Sequence, residues 1–294
     1  MLFGGIEAGG TKMVCAIGDG EGTIIDRTSF PTTSPEETFE KVIAYFKKRD
    51  IVSLGLGSFG PVDLDHRSAT YGYITETPKS GWRNFNAVGT LKKEFPIPIG
   101  FDTDVNGAIL GEVAWGAAQG CENAIYITIG TGVGIGAYIN GKLVHGLMHP
   151  EAGHILLYKD QKDTFPGICP YHSNCMEGLA SGPAIEARWG KKAIELADQE
   201  EVWNLEAFYI AQSIVSYILT YSPQKIILWG GVMHQAQLFA LVRDKVVELL
   251  NGYVHNDIIL KHIDEYIIPP ALGEDPGIIG AVELAVEAYK REKR

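Results

Sequence analysis

Residues 2–18 of the chain, LFGGIEAGGTKMVCAIG, predict two short strands, at 2–6 and 13–18, that flank a glycine-rich turn. The same order of strand, glycine-rich turn and strand returns at residues 124–139, around the glycines of 130–134. Glycine in such turns lets the backbone take a positive φ or approach a ligand closely. We therefore predict two similar halves, each offering a phosphate-binding loop, with a cleft for a nucleotide between them.

The rest of the sequence alternates strands and helices. Apolar runs at residues 51–57 and 97–101 have the length of buried strands, and a helix is predicted over 104–115. A helix with Ser34 as its N-cap is predicted over 35–49. Further helices are predicted at 205–219, 234–250 and 276–292. This alternation indicates an α/β protein.

The composition is that of a soluble globular protein with one large or two smaller domains, since 46% of its 294 residues are hydrophobic and 21% are charged. The net charge of −11 and the few clustered basic residues, at 47–49 and 290–294, argue against nucleic-acid binding. We find no signal peptide pattern and no apolar run of about 18 residues, so we expect a cytoplasmic protein that does not enter the membrane. The four cysteines are then not expected to form disulfides.

Three glycine clusters are candidates for holding phosphate groups. They are Gly9-Gly10-Thr11-Lys12, Gly130-Thr131-Gly132 and Gly230-Gly231. None follows the Walker A pattern or the GxGxxG pattern of dinucleotide-binding units, and for any one of them a hairpin connector is the more common explanation. Their occurrence together, at strand ends in both halves, favours a phosphate site, because N–H groups in turns can bind phosphate oxygens.

A group of cysteine and histidine residues could bind a metal ion. It consists of His154, Cys169, His172 and Cys175. Two cysteines and two histidines suit tetrahedral Zn²⁺, and the CxxHxxC spacing can place three ligands on one loop. Because all four positions are filled, we predict a structural zinc rather than a catalytic one. The alternative is two buried cysteines beside two unrelated histidines.

Carboxylates at the end of a predicted strand are candidates for catalysis. Asp102 and Asp104 lie there, just before a helix, which is a common location for sites in α/β sheets. A kinase that acts on a hydroxyl uses a carboxylate as base, but an aspartate at this place can also simply cap the helix. Glu151 and Glu177 flank the Cys/His group and could bind sugar hydroxyls. Glu7 could orient a water on Mg²⁺, although each of these glutamates could also be an ordinary surface carboxylate.

In order along nearly the whole chain, these motifs resemble the ROK family (repressors, open reading frames and sugar kinases), and most of all its bacterial fructokinases. The segments that carry the resemblance are 4–12, 57–63, 81–84, 104–112, 130–134, 151–154 with the Cys/His group, 230–232 and 277–281. The Cys/His signature is highly specific, whereas the glycine loops are not.

The resemblance implies an actin-like, Hsp70-like (ribonuclease H-like) α/β ATPase fold of two domains around a cleft. The first domain would comprise residues 1–118, with a C-terminal helix at 276–294 packing back on it. The second would comprise residues 119–275 and carry the zinc-binding loop. The implied activity is ATP-dependent phosphorylation of a hexose, foremost D-fructose to fructose 6-phosphate, with Mg²⁺ accompanying ATP. A homodimer is also implied.

The resemblance also implies roles for individual residues. Asp104 would be the general base. The sugar would be bound by Asn84, Thr103, Glu151, His154 and Glu177. His154 would bind zinc through one ring nitrogen and the sugar through the other. ATP would be bound by Gly9, Gly10, Thr11, Lys12, Gly130, Thr131, Gly132, Gly230 and Gly231.

Three positions depart from the pattern of the family. Thr103 stands where asparagine is common before the catalytic aspartate, so the hydrogen bonds to one sugar hydroxyl must differ. His172 replaces one cysteine of the common Cys₃His cluster, and the resulting Cys₂His₂ set still suits zinc. Glu7 stands where aspartate is more usual, so its carboxylate is displaced by the extra methylene.

Other functions stay open at this point. The sugar could be mannose, glucose or an N-acetylhexosamine, because sugar choice depends on a few contacts worth about 1–3 kcal/mol each. A sugar-sensing repressor would need a DNA-binding helix-turn-helix before the first glycine loop, and we expect none because that loop begins within ten residues of Met1. A non-catalytic actin-like or chaperone-like ATPase would not need the Cys/His group and its neighbouring carboxylates.

Overall fold

The computed structural model describes residues 1–293, which divide into two compact units. Unit 1 comprises residues 1–120, 143–150 and 271 onward, and unit 2 comprises residues 121–142 and 151–270. Residues 143–150, which we call the connector, therefore pack with unit 1, although the chain on either side packs with unit 2. The domain boundaries implied by the resemblance stay a prediction.

Unit 1 is built on a five-stranded mixed sheet. Its strands are β1 (Phe3–Ala8), β2 (Lys12–Gly18), β3 (Ile24–Pro31), β4 (Ser53–Ser58) and β7 (Ile99–Thr103), and a separate two-stranded ribbon pairs β5 (Tyr73–Ile74) with β6 (Phe85–Asn86). Its helices are α1 (Pro35–Phe46), α2 (Ala87–Glu94), α3 (Asp104–Trp115) and α10 (Pro276–Glu292). The strand order is β3-β2-β1-β4-β7, in which β2 is antiparallel to β1 and β3, while β1, β4 and β7 run parallel.

Unit 2 repeats this plan. Its strands are β8 (Ala124–Ile129), β9 (Val133–Ile139), β10 (Lys142–Leu143), β11 (Lys225–Trp229) and β12 (Ile267–Ile268). Its helices are α4 (Met176–Ala180), α5 (Gly182–Trp189), α6 (Glu200–Tyr221), α7 (Leu238–Leu250), α8 (Asp257–Leu260) and α9 (Ile263–Tyr266). The strand order β10-β9-β8-β11-β12, with an antiparallel hairpin followed by parallel strands, matches that of unit 1. The α/β class and the internal repeat predicted from the two glycine turns are confirmed.

Small residues bring α10 against the sheet of unit 1. A Cβ atom at Gly55 of β4 would lie 1.9 Å from the carbonyl oxygen of Ala281. A Cβ atom at Gly280 would lie 1.7 Å from the carbonyl oxygen of Gly107 in α3. Both distances are far inside van der Waals contact, so only glycine lets these backbones meet. The β1 and β4 strands are buried almost throughout, as expected for parallel strands covered by helices.

The ends of the helices differ in part from the sequence-based prediction. Helix α1 has Ser34 as its N-cap, as predicted, but ends at Phe46. Helix α3 covers the predicted residues, yet neither aspartate caps it, because the Thr103 hydroxyl accepts the hydrogen bond from Asn106 N at 3.1 Å. Helix α7 begins at Leu238 rather than 234, because a 3₁₀ turn, Gly231–His234, precedes it. In the described part of the chain, no helix combines the length and the apolar character of a membrane span.

Candidate active site

The carboxyl ends of three parallel strands of unit 1 lie side by side. In the sheet register, Glu7 of β1 is beside Gly57 of β4, which is beside Asp102 of β7. Asp104 follows Asp102 by two residues, at the first position of α3. Ligands of open α/β sheets bind outside this edge. Unit 1 therefore presents three carboxylates at the place where a site is expected.

Among the described residues, only backbone holds the Asp104 carboxylate in place. It is partly buried, and burial raises its pKa. One of its oxygens accepts a hydrogen bond of 2.9 Å from the following amide, Val105 N. No side chain in the described part of the chain hydrogen-bonds to it. Its carboxylate is thus held by backbone at the start of a helix, with capacity left for a substrate hydroxyl.

Both carboxylate oxygens of Asp102, in contrast, are hydrogen-bonded to groups of the protein. It is only 3% exposed. Its Oδ1 accepts hydrogen bonds from Thr103 N at 2.8 Å and from Asn106 Nδ2 at 2.7 Å. Its Oδ2 lies 2.8 Å from Nε2 of His145 in the connector. Of the two aspartates left open by the sequence, Asp102 holds the strand-to-helix turn together, and Asp104 is the one free to act on a ligand.

Glu7 lies partly buried at the end of β1. Burial, reinforced by the negative charge of Asp104, raises the pKa of Glu7 to about 7, whereas Lys12 lowers it. A glutamate with a pKa near neutrality changes its charge with small changes of pH or with the arrival of a cation. This carboxylate could therefore face a metal ion that accompanies a nucleotide.

The first glycine loop is a tight turn with an accessible backbone. Gly9 N donates to Lys12 O at 3.0 Å, and Thr32 Oγ1 donates to Gly9 O at 2.7 Å. Gly10, Thr11 and Lys12 are exposed. A Cβ atom at Gly10 would meet no heavy atom of the described residues within 4 Å. The structure thus fixes the ends of the loop and leaves its tip open to a ligand.

The second glycine loop, in unit 2, is braced by Glu177. Gly130 N donates to Gly132 O at 2.9 Å, which closes the turn between β8 and β9. Glu177 Oε2 accepts from Val133 N at 3.1 Å. A Cβ atom at Gly132 would lie 2.8 Å from the same oxygen. One oxygen of Glu177 therefore supports this loop, a role that the sequence did not reveal.

The glycines of the third cluster do different things. Gly230 has φ of 102°, and a Cβ atom there would lie 2.4 Å from Ile129 O. It is therefore required by the chain itself, as turn glycines often are. Gly231 is exposed, and a Cβ atom there would meet no heavy atom of the described residues within 4 Å. Only Gly231 offers free space for a ligand.

The four predicted metal ligands come together in unit 2. Nδ1 of His154 lies 3.5 Å from Sγ of Cys175 and 3.8 Å from Sγ of Cys169, and Nδ1 of His172 lies 3.7 Å from Sγ of Cys169. All four ligand atoms lie within 4.8 Å of one another. Zn–N and Zn–S lengths near 2.0 and 2.3 Å separate an N and an S ligand of tetrahedral zinc by about 3.5 Å, close to the distances of 3.5, 3.7 and 3.8 Å found here. The group can hold a metal ion, and its spacing fits zinc.

His154 has its two ring nitrogens in different surroundings. Nδ1 faces the cysteines, while Nε2 lies 3.8 Å from Oε1 of Glu177. The backbone places the ring through the 3₁₀ turn Ala152–His154, which begins directly after the exposed Glu151. The arrangement leaves Nε2 on the side of the carboxylate rather than of the metal ligands, as dual use of the ring requires.

The remaining predicted sugar ligands lie in unit 1. Asn84 is exposed and has φ of 58°, a left-handed conformation that asparagine tolerates better than most residues. It follows the buried Trp82, whose Nε1 donates to Thr33 O at 2.8 Å and fixes the start of this loop. Thr103 is 5% exposed, and its hydroxyl caps α3. The structure thus gives Thr103 a helix-capping role beside any role toward a sugar.

Sequence reasoning missed the residues of the connector. His145 pairs with Asp102, and His149, which is 4% exposed, accepts a hydrogen bond from Val62 N at 3.1 Å through Nε2. These partners lie 43 and 87 positions away in the chain. The only local signal was the pair of histidines, four residues apart, just before Glu151.

The profile of the ROK family matches residues 3–288 of the chain. The chain belongs to the ROK family. This ROK protein is 46% identical over 290 residues to a fructokinase of Pediococcus pentosaceus, and the match covers 99% of each chain. It is 45% identical over 296 residues to a fructokinase of Streptococcus mutans serotype c, again over 99% of each chain.

Among solved structures, this ROK protein is similar to a ROK family glucokinase from Streptomyces griseus in complex with glucose and AMPPNP. The TM-score is 0.77 at 24% identity, and the match covers 98% of this chain and 100% of the glucokinase. ROK sugar kinases have the actin-like ATPase fold, and this ROK protein shares it.

Proposed function

We propose that this ROK protein is an ATP-dependent fructokinase, which transfers the γ-phosphate of ATP to D-fructose and forms fructose 6-phosphate. The observation that carries the proposal is the full-length identity of 45–46% to two fructokinases. A kinase for mannose, glucose or an N-acetylhexosamine is the alternative, and a sugar-sensing protein without catalysis is the next.

Asp104 is the proposed general base. It would accept the proton of the attacking sugar hydroxyl as the oxygen forms its bond to the γ-phosphorus and ADP leaves. The geometry that supports this role is a carboxylate at the start of α3, directly after a parallel strand, that accepts a hydrogen bond from backbone and from no side chain of the described residues. Its pKa is raised by burial, which strengthens it as a base.

The two glycine turns are the proposed phosphate sites. The exposed N–H groups at the tip of the Gly9 to Lys12 turn can hydrogen-bond to phosphate oxygens. The turn at Gly130 to Gly132 would hold phosphate oxygens through its own N–H groups, and Gly230-Gly231 would lie on the adenosine side. Mg²⁺ bound with ATP would neutralise part of the phosphate charge. Glu7 would hold a water of that ion, and its ionised form would be favoured when the cation arrives.

The Cys/His group is proposed to bind a structural zinc through His154, Cys169, His172 and Cys175. Support comes from the nitrogen-to-sulfur distances of 3.5–3.8 Å. Four protein ligands leave no position for a catalytic water. The zinc would orient the ring of His154, whose Nε2 is proposed to hydrogen-bond the sugar.

The other proposed sugar ligands are Asn84, Thr103, Glu151 and Glu177. Glu177 would keep one oxygen for Val133 N and offer the other. A homodimer and a cytoplasmic location, both expected from the sequence, stay predictions.

The test is ADP release in a coupled assay with ATP and Mg²⁺ and a panel of free sugars: fructose, mannose, glucose, N-acetylmannosamine and N-acetylglucosamine. We expect ADP release to require a sugar, and we expect fructose to give the highest kcat/KM. A higher kcat/KM with another hexose would support the kinase activity but assign that hexose as the substrate. If protein with its full metal content gave no sugar-dependent ADP release, the kinase would be excluded, and a sugar sensor or a non-catalytic ATPase would be the remaining functions.

A further inference from the structure

The connector carries two histidines, and each is fixed to unit 1 by a different hydrogen bond. His145 Nε2 lies 2.8 Å from Asp102 Oδ2, and His149 Nε2 accepts from Val62 N at 3.1 Å. Carboxylate oxygens accept hydrogen bonds, so Nε2 of His145 is assigned as the donor to Asp102. His149, which accepts, must be neutral, and burial lowers its pKa accordingly. In this arrangement Nε2 carries a proton in His145 and none in His149.

The partner of His145 is part of the turn that carries the proposed base. Asp102 accepts on Oδ1 from Thr103 N and Asn106 Nδ2, and these bonds join the residue two places before Asp104 to the residue two places after it. The second oxygen, Oδ2, is the one that His145 binds. All groups of this cluster belong to unit 1.

We propose that His145 is a positioning residue for Asp104. By donating from Nε2 to Asp102, it satisfies the buried carboxylate and so holds the β7-to-α3 turn in the shape that aims Asp104. The inference rests on the proposed function, since it assigns Asp104 as the base. It adds a residue from a distant segment of the chain, which reaches the turn through Asp102 rather than through Asp104 itself.

The charge balance around the cluster supports this assignment. Asp102 is 3% exposed, and a buried carboxylate oxygen without a partner is unfavourable. The hydrogen bond to Asp102 raises the pKa of His145, whereas burial and the like positive charge of Arg291 on α10 lower it. The other titratable groups that face the pair are His149 in the connector, Tyr71, and Glu287 of α10. Of these neighbours, His145 is the one in hydrogen-bonding contact with Asp102.

The first test compares the variants His145→Ala and His145→Gln in steady-state kinetics. We expect His145→Ala to lower kcat roughly 10- to 100-fold, as a misplaced catalytic group does, with KM for ATP within about twofold of wild type. Glutamine keeps an N–H donor at similar reach, so His145→Gln should recover most of kcat. Leu147→Ala is the matched control, because this connector side chain is fully exposed, and it should behave as wild type.

Wild-type kcat in His145→Ala would overturn the proposal. So would an equal loss in His145→Gln and His145→Ala, because the hydrogen bond would then not be the cause. In a double-mutant cycle with Asp102→Asn, the combined loss in kcat should be smaller than the product of the single losses. Independent, multiplicative effects would also contradict coupling through this pair.

A second test does not require activity. In an NMR titration, His145 should have a pKa above its ordinary value in wild type, and that pKa should fall toward the ordinary value in Asp102→Asn. An unchanged pKa would show that the pair does not form in solution, and the proposal would fail. If instead the wild-type protein gave no sugar-dependent ADP release while the titration behaved as expected, the proposed function would fail and the pair would stand.

Discussion

A Cβ atom added to Gly277, in the first turn of α10, would lie 2.5 Å from Oε1 of Glu7 at the end of β1. The missing side chain at 277 thus makes the space that this carboxylate occupies. Gly277 lies in a segment identified from the sequence by its resemblance to the ROK family, and the structure gives a physical reason for glycine there. The start of the last helix shapes the surroundings of a proposed Mg²⁺-facing group.

Gly277→Ala should therefore displace the Glu7 carboxylate without unfolding unit 1. The clash costs about 1–3 kcal/mol, and the better helix propensity of alanine offsets up to about 1 kcal/mol of it. We expect kcat/KM for Mg-ATP to fall by about tenfold, equal to about 1.4 kcal/mol. Gly107→Ala is the control, since its Cβ would be 3.8 Å from the nearest atom, Gly277 O. Equal kinetics for both variants would show that Glu7 has no part in nucleotide use.

Glu7 should also make stability depend on pH. Its pKa is about 7 in the folded protein, against 4.5 for the unfolded chain. Below pH 4.5 both states are protonated. As pH rises from 4.5 toward 7, the unfolded chain releases this proton first, so the free energy of unfolding should fall by up to about 1.4 kcal/mol per pH unit. In urea titrations between pH 5 and 7, Glu7→Gln should show a shallower fall than wild type. Parallel curves for the two proteins would refute the raised pKa.

Asp104→Asn should remove catalysis and spare the fold. Asparagine can still accept from Val105 N, and Thr103 still caps α3, so the midpoint of thermal unfolding should stay near the wild-type value. Loss of a general base lowers kcat by about 10²- to 10⁴-fold. Sugar binding, measured by calorimetry without ATP, should persist. A variant that retains wild-type kcat would exclude Asp104 as the base.

Gly10→Ala should separate phosphate binding from stability. The added methyl group would meet no heavy atom of the described residues within 4 Å, so unfolding should be unchanged. If phosphate oxygens approach this backbone, KM for ATP should rise by about tenfold, or about 1.4 kcal/mol.

Gly280→Ala is the matched control, because it should change stability rather than ATP binding. We expect it to lower the free energy of unfolding by about 3 kcal/mol, because of its clash with Gly107 O. An unchanged KM in Gly10→Ala would remove this turn from the ATP site.

Cys175→Ser should lose the metal, whereas His172→Cys should keep it. Serine can replace Cys175 as the N-cap of α4, where the sulfur now accepts from Gly178 N, so the change isolates the metal contribution. Cysteine at 172 restores a Cys₃His set that suits zinc. Elemental analysis should give about one zinc per chain for wild type and His172→Cys, and much less for Cys175→Ser. A full zinc content in Cys175→Ser would contradict the ligand assignment.

The helix that follows β7 shows which features can be predicted from local sequence. The apolar run and the following pattern predicted α3 over 104–115, which is the observed span. The cap of this helix stayed open, because Asp102, Thr103 and Asp104 can all accept a backbone hydrogen bond and only the final turn geometry selects Thr103. The Cys/His group was predictable for the opposite reason, since its CxxHxxC spacing constrains three ligands within one loop.

The sequence by itself determined the α/β class, the two glycine hairpins and the metal-ligand set, because each depends on residues close together in the chain. Only the tertiary structure decided that Asp102 is occupied by His145 and that Gly277 makes room for Glu7. It also decided that the connector packs with unit 1. These relationships join residues from about 40 to 270 positions apart, and they exist only once sheets and helices have brought backbones into contact, where sterics and buried hydrogen bonds select the partners.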